Sequence, residues 1–359
     1  MTEFLCPKCK NKIDPKWKKC RHCGTRFYTK IEIAKYGKQN KEKLSSKPSL
    51  EDSSAVNSIK GNKIKIIIAI GIVTLAIALT LFLTPNAEQF YDKGLSLSNQ
   101  KDFAGAIVQF DKAIAINSKY TEAWLGKGNA LRNLQKYTEA IECYDKVISL
   151  APNNLNAWYN KGLSYNSLKN YSEAINCFDK AIGINAKHVA SWNAKGNALR
   201  NLQKYQEAIA SYDKVLKIDP KNLNAWYNKG LSLTNLKKYS EAIICYDKAL
   251  DINPGYVAAW NNKGNALRNL QKYSESLECY DKVISLDPNN LNAWYFKGLS
   301  LNSLKKYSEA IECYDKVLSI DPKYAAAWTA KGNALMALGK NQEANESFAK
   351  AKEITSTQI

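Results

Sequence analysis

Between Thr121 and Asn154 the apolar residues Trp124, Leu131, Ala140, Tyr144 and Val147 fall on faces with helical spacing, and a polar turn at Gln135–Tyr137 separates them into two groups. The pattern predicts a helix over roughly Thr121–Leu134 and a second over Thr138–Leu150. Thr138, and Ser172, Ser240, Ser274 and Ser308 further along, stand where a side-chain oxygen caps the second helix, each followed by a Glu that suits a first turn. Pro152, Pro220, Pro254, Pro288 and Pro322 end it. The stretch is then repeated. Trp124, Trp158, Trp192, Trp226, Trp260, Trp294 and Trp328 recur every 34 residues, with Phe90 one period earlier. Gly94, Gly128, Gly162, Gly196, Gly230, Gly264, Gly298 and Gly332 keep the same period. Eight units result, beginning at Ala87, Thr121, Leu155, Val189, Leu223, Val257, Leu291 and Ala325, each burying its apolar face against its neighbours. A mid-helix Gly costs about 1 kcal/mol relative to Ala, so eight at one register imply a helix packed too closely for a side chain, with small Ala140 expected opposite.

Ahead of Pro85 the pattern changes. Ile66–Leu83 is an 18-residue run without a charge, apolar on every side. At 1.5 Å per residue it reaches roughly 27 Å, close to the hydrocarbon thickness of a bilayer. It predicts one transmembrane helix over 64–84. Residues 31–63 are polar, poor in aromatics and without sustained apolar periodicity, which predicts a basic disordered linker. In residues 1–30, Cys6 and Cys9, then Cys20 and Cys23, form two CxxC pairs. Four thiolates so spaced supply a tetrahedral Zn²⁺ site, and the segment resembles a short zinc ribbon. A domain this small needs a staple, so the zinc is expected to be structural. His22 is expected outside the completed shell.

Charge sharpens this division. The 359 residues carry a net charge of +19, of which +11 lies in residues 1–65. That excess places the ribbon in the cytoplasm and the array on the opposite face of the membrane. Basic residues there also allow contact with nucleic acid or anionic lipid, although a charge-rich segment beside a span serves equally as a solvated tether and topology signal. Cys143, Cys177, Cys245, Cys279 and Cys313 share one register of the second helix, a repeat or more apart. Equivalent helices on the order of 10 Å apart lie beyond disulfide reach, so free, packed thiols are expected. The chain has only two histidines, His22 and His188, no nucleophile elbow and no phosphate-binding Gly loop. An enzyme and a small-molecule substrate are therefore not expected. Glu139 and Asp145 are taken as solvated helix faces.

The run W-x-x-K-G-x-x-L, then Y-x-E-A, the aromatic at Tyr144 and the closing Pro152 resemble the tetratricopeptide repeat, from Ala87 to about Ser356. The resemblance implies an all-α, right-handed superhelix of eight helix-turn-helix repeats over 85–359, with a concave groove that holds peptides or partner proteins. Lys127 and its seven counterparts stand where that family has a large apolar residue; their stems are expected to pack while the ammonium groups reach water.

A second period of 68 residues alternates two kinds of first helix. Asn129, Arg132 and Asn133 share one face, as do Asn197, Arg200 and Asn201, and Asn265, Arg268 and Asn269; Asn333 begins the last set. Between them come Tyr159 and Leu163, Tyr227 and Leu231, and Tyr295 and Leu299. The resemblance implies that these faces line the groove. Leu125, Tyr159 and Asn193 replace the lysines that the family's chaperone-tail clamp needs, which disfavours that partner. Asn345 and Lys352 replace the Ile and Leu of earlier units, as expected of a polar terminal repeat. The expected function is a membrane-anchored scaffold with a protein or peptide in its groove. The alternative is a regulator whose ribbon and basic tail hold nucleic acid or lipid while the repeats assemble a complex.

Overall fold

The computed structural model describes residues 86–356, so the predicted ribbon, linker and membrane span lie outside the described residues. The described chain is all helix and connecting turns. In order the helices are α1 Ala87–Asn99, α2 Phe103–Ile116, α3 Thr121–Asn133, α4 Tyr137–Leu150, α5 Leu155–Ser167, α6 Tyr171–Ile184, α7 Val189–Asn201, α8 Tyr205–Ile218, α9 Leu223–Asn235, α10 Tyr239–Ile252, α11 Val257–Asn269, α12 Tyr273–Leu286, α13 Leu291–Ser303, α14 Tyr307–Ile320, α15 Ala325–Ala337 and α16 Asn341–Ser356. Each helix packs on the next in sequence. First helices of neighbouring repeats also touch, whereas second helices do not touch one another. Crowding on one layer and none on the other curves the stack, with the first helices on the concave side.

Each first helix ends where one residue turns left-handed. Gln135 has φ 61°; its N–H donates to the Arg132 carbonyl, and the Lys136 N–H reaches back to Leu131 at 2.9 Å. This pair of bonds satisfies the last carbonyls of α3 in a Schellman motif. The turn is tight enough for the Lys136 carbonyl to accept the Ala140 N–H already. The second helix therefore starts one residue earlier than expected, and the predicted Thr138 cap is corrected. Lys136 is the N-cap and makes no side-chain bond, while Thr138 sits inside the first turn. At the same place in other repeats Asp102 and Asn170 do cap, accepting from the N–H groups of Gly105 and Glu173.

The glycine register is also explained differently from the expectation. A Cβ on Gly128 would meet not Ala140 but the Tyr144 ring, at 2.7 Å. The same holds sixteen residues on throughout, from Phe110 against Gly94 to Phe348 against Gly332. Aromatic rings of the second helices, buried in all but the last repeat, thus pack close against a bare stretch of first-helix backbone, and they belong to the hydrophobic clusters of the core. Cys143, Cys177, Cys245, Cys279 and Cys313 are free and buried, and burial raises their thiol pKa values to about 11. They act as small apolar groups.

Two contacts tie each repeat to the one before. The Trp124 indole N–H donates to the Ser118 carbonyl at 3.0 Å, and Trp158 does the same to Pro152 at 2.8 Å, pinning the loop that enters the repeat. The lysine before each glycine was expected to reach water. Instead Lys127, Lys161, Lys195, Lys229, Lys263, Lys297 and Lys331 pair with Asp111, Asp145, Asp179, Asp213, Asp247, Asp281 and Asp315 at 2.5–2.6 Å. Each ammonium also lies 5.3–5.6 Å from the centre of the Trp ring in its own helix. Asp145 is exposed, as expected, and is also part of a seam between repeats. Asn345 and Lys352 on α16 are exposed, where Ile209 and Leu216 are buried.

Candidate functional site: the concave face

Odd and even repeats begin differently, which gives the 68-residue period a physical basis. Odd repeats open with an asparagine N-cap: Asn154, Asn222 and Asn290 accept from the N–H groups of Ala157, Ala225 and Ala293 at 2.9–3.0 Å. Even repeats place a ring there instead. Tyr120, His188, Tyr256 and Tyr324 pack on Tyr91, Tyr159, Tyr227 and Tyr295 of the preceding repeat, with centroids 4.9–5.3 Å apart. The groove tyrosines anticipated in the sequence are thus half-buried and already occupied on one side by a neighbour. Leu163 and Leu299 likewise pack against core clusters and present only part of their surface. Leu231 is half-buried.

The predicted asparagines divide in two. Asn129, Asn197 and Asn265 are half-buried, and their side-chain oxygens accept from the hydroxyls of Tyr144, Tyr212 and Tyr280 at 3.0, 2.8 and 2.9 Å. Asn129 also accepts from Asn160. These residues hold the second helix in place, and their amide N–H groups have no acceptor among the described residues. Asn133, Asn201, Asn269 and Asn333 are exposed. Asn133 and Asn269 donate to the carbonyls one turn back at 2.9 and 2.8 Å. In the last repeat Phe348 stands at the place of the tyrosine, so Asn333 has no hydroxyl to receive.

Arg132, Arg200 and Arg268 are half-buried, each with its Nε shielded from solvent and without a hydrogen-bond partner. Their guanidinium groups sit among tyrosines of two repeats. Burial raises the pKa of Tyr212 to about 12, and Arg200 draws it down. Tyr144 and Tyr280 are raised by burial too, against Arg132 and Arg268. Tyr159 and Tyr295 on the next repeat are likewise raised by burial and lowered by the same arginines. Arg268 lies 5.1 Å over the Phe296 ring. None of the three forms an ion pair among the described residues. Two further groups belong here, Asn193, noted in the sequence only as a departure from the chaperone-tail clamp, and Asn261, which was not noted; their side-chain oxygens are shielded and unpartnered. The signal for them was available, since both stand one 34-residue step from the groove tyrosines.

Among the described residues no cluster of His, Cys, Asp and Glu could hold a metal ion, and no helix is long and apolar enough to cross a membrane. Cys6, Cys9, Cys20, Cys23 and the predicted span lie outside them.

Paired helices stacked in register, with one layer crowded and one splayed, define an α-helical solenoid of helix-turn-helix repeats. Family models described as tetratricopeptide repeat match residues 223–256, 257–290 and 291–324, and also 196–236 and 313–344. The chain thus contains tetratricopeptide repeats, matched over residues 196–344. A model described as anaphase-promoting complex, cyclosome, subunit 3 matches 99–181 and again 133–215, two windows one repeat apart, which marks it as a match to the repeat. No curated protein matches. The C-terminal part of a TPR repeat-containing protein of Cytophaga hutchinsonii is 16% identical, with 67% of this chain and 98% of that part covered and a TM-score of 0.60. One from Parabacteroides merdae is 17% identical, covering 69% and 98%, with a TM-score of 0.51. These two share the fold. MamA is 27% identical over 45% of this chain and 95% of its own, with a TM-score of 0.45.

Proposed function

We propose that the chain is a non-enzymatic scaffold that holds an extended segment of a partner protein along the concave face of its repeats. One observation carries this reading: the amide and guanidinium groups of that face keep unfilled hydrogen-bonding capacity, while every lysine of the seam between repeats is paired. Asparagine offers donor and acceptor together, which suits a peptide backbone, and tyrosine beside leucine receives an apolar side chain. Position-specific photo-crosslinking of the full chain tests the reading. Cross-linkers at exposed Asn201 and Asn269 are expected to capture a partner that one at exposed Glu312, on α14, does not. Capture from Glu312 alone would move the binding surface to the second helices.

The same proposal anchors the chain by Ile66–Leu83 in a single pass, with a structural zinc on the thiolates of Cys6, Cys9, Cys20 and Cys23 in the cytoplasm and the repeats on the other side. The support is the apolar run, the donor set and the basic N-terminal flank. Metal analysis of the reduced N-terminal segment and protease protection in sealed vesicles test these parts separately. The +11 charge of residues 1–65 supports a second reading, in which that region holds nucleic acid or anionic lipid. Binding through many phosphate contacts would fall steeply with salt, which separates it from capture by the groove.

A further inference from the structure

The first helices carry two sets of cations with different surroundings. Seven lysines are neutralised by aspartates of the preceding second helix, whereas Arg132, Arg200 and Arg268 have no carboxylate within ion-pair distance among the described residues. The six first helices α5, α7, α9, α11, α13 and α15 contain no Asp or Glu at all. Acidic residues of the concave layer are confined to its N-terminal end, at Glu88 and Asp92 on α1 and Glu122 on α3, where they raise the pKa of Tyr91 and Tyr120 alongside burial. From Leu155 to Ala337 the first helices therefore carry no carboxylate, Arg200 and Arg268 are their unpaired cations with Arg132 just ahead on α3, and the phenol groups beside the arginines are held in their neutral form by burial.

We infer that this face reads acidic segments of its partner, with the three arginines taking side-chain carboxylates of one extended chain at a fixed spacing. The inference rests on the groove reading above and adds the chemistry of the occupant. A guanidinium offers a planar fork that fits a carboxylate with two parallel hydrogen bonds. Each of these has a shielded Nε without an acceptor and aromatic rings about it, so part of its desolvation is already met before a ligand arrives. The spacing follows from the repeat. First helices of adjacent repeats touch, which sets their axes about 10 Å apart, so equivalent arginines two repeats apart lie about 20 Å from one another. An extended chain advances about 3.3 Å per residue, which places matching carboxylates about six residues apart. Between them Asn197, Asn201, Asn265 and Asn269 have amide groups for the peptide backbone. A nucleic-acid strand fits less well, because its charges recur about every 3.4 Å and most would face asparagine and tyrosine.

The test is fluorescence anisotropy of the full chain in non-ionic detergent with three labelled synthetic peptides of equal length. One has three Glu residues six apart, one has the same residues three apart, and one has Gln in place of Glu at the six-residue spacing. The matched peptide is expected to bind about tenfold more tightly than the other two, as two or three charge-assisted bonds of modest strength allow. Arg132→Ala, Arg200→Ala and Arg268→Ala together should abolish that preference with helicity unchanged, and the triple Lys variant should restore it in part. The basic N-terminal region is common to the wild type and both variants and does not produce a spacing preference. Equal binding of the Glu and Gln peptides overturns the charge reading and leaves the groove reading in place. Equal binding of the two Glu spacings overturns the register. Binding of no peptide overturns the proposal, and the Asn201 cross-link then decides whether the groove reading survives. A labelled oligothymidylate that binds more tightly than the matched peptide and is lost in the Ala variant overturns the choice of a protein ligand.

Discussion

The seam between repeats and the concave face are carried by the same first helices, yet they follow different periods. On the sides turned to the core every 34th residue is closed off: glycine by an aromatic ring of its own repeat's second helix, lysine by an aspartate of the preceding repeat, tryptophan by a carbonyl of the entering loop. On the concave side the pattern returns every 68 residues, and what it places there is only partly closed off, such as arginine without a carboxylate and asparagine with a spare amide. The shorter period therefore belongs to stability, and the longer one to pairwise packing of repeats and to the surface they leave open. Substitutions within each set should separate the two.

The largest effect is expected where the shorter period is tightest. A Cβ on Gly196 would meet the Tyr212 ring at 2.5 Å, and that ring is fully buried. Gly196→Ala should cost about 1–3 kcal/mol, the usual range for overpacking a filled core. Gly183, on α6, meets nothing within 4 Å, so Gly183→Ala should stabilise by up to about 1 kcal/mol through helix propensity alone. Urea midpoints followed by circular dichroism check both signs. Similar losses for both would mean that the glycine register does not mark close approach.

A smaller effect lies at the hydroxyls. Tyr212 donates to Asn197 at 2.8 Å, whereas the buried Tyr314 hydroxyl has no partner. Tyr212→Phe should therefore cost about 1 kcal/mol, and Tyr314→Phe should be neutral or stabilising. The difference between the two midpoints is the quantity to measure. A loss at Tyr314 equal to that at Tyr212 would show that the bond to Asn197 contributes nothing.

Element order and repeat boundaries were legible in the sequence because two helical periods and a 34-residue repeat leave few alternatives. Partners were not. The glycine was seen to imply a close neighbour, but helical spacing alone does not say whether Ala140 or Tyr144 faces it, since both lie on the inner side of the second helix. The lysine seam left a readable signal, an Asp always sixteen residues earlier, yet a lone exposed-looking cation suggests water. The Thr138 cap failed because the left-handed turn at Gln135 brings the second helix in one residue sooner. Arg132, Arg200 and Arg268 were placed on one helix face from their spacing to the asparagines. That Tyr159, Tyr227 and Tyr295 also support the next repeat depends on a ring 29 positions on, across a helix and a loop.

Those turns supply the next prediction. Seven of the eight described repeats place Lys or Gln at the left-handed position, with φ 59–64°, and only the last has Gly339 there. A left-handed L-residue costs about 1–2 kcal/mol, and glycine gives back about 0.4–1 kcal/mol through the flexibility of the unfolded chain. Gln135→Gly should thus stabilise by at most about 1.6 kcal/mol, without altering the concave face. A lower urea midpoint would place the turn's stability in the Gln135 side chain instead.

The smallest effect concerns the one place where the longer period titrates near neutrality. His188 occupies the ring position held elsewhere by Tyr120, Tyr256 and Tyr324. Its ring meets Tyr159 edge-on at 5.3 Å, and Nδ1 lies 2.7 Å from the Ser191 hydroxyl. Burial lowers its pKa from 6.5. The folded chain then binds fewer protons at this site than the unfolded chain, so the stability it supports is present above about pH 6.5 and is lost as pH falls through that value towards the folded pKa. Tyrosine at this place has no such linkage, because burial raises the pKa of Tyr120 and Tyr256 still further above 10. His188→Tyr should therefore reduce the loss of stability between pH 7.5 and pH 5.5, a range in which ordinary carboxylates stay ionised. The comparison is of urea midpoints at the two pH values. An equal loss in both proteins would show that the ring at this junction contributes by shape alone and that its protonation has no part in holding the two repeats together.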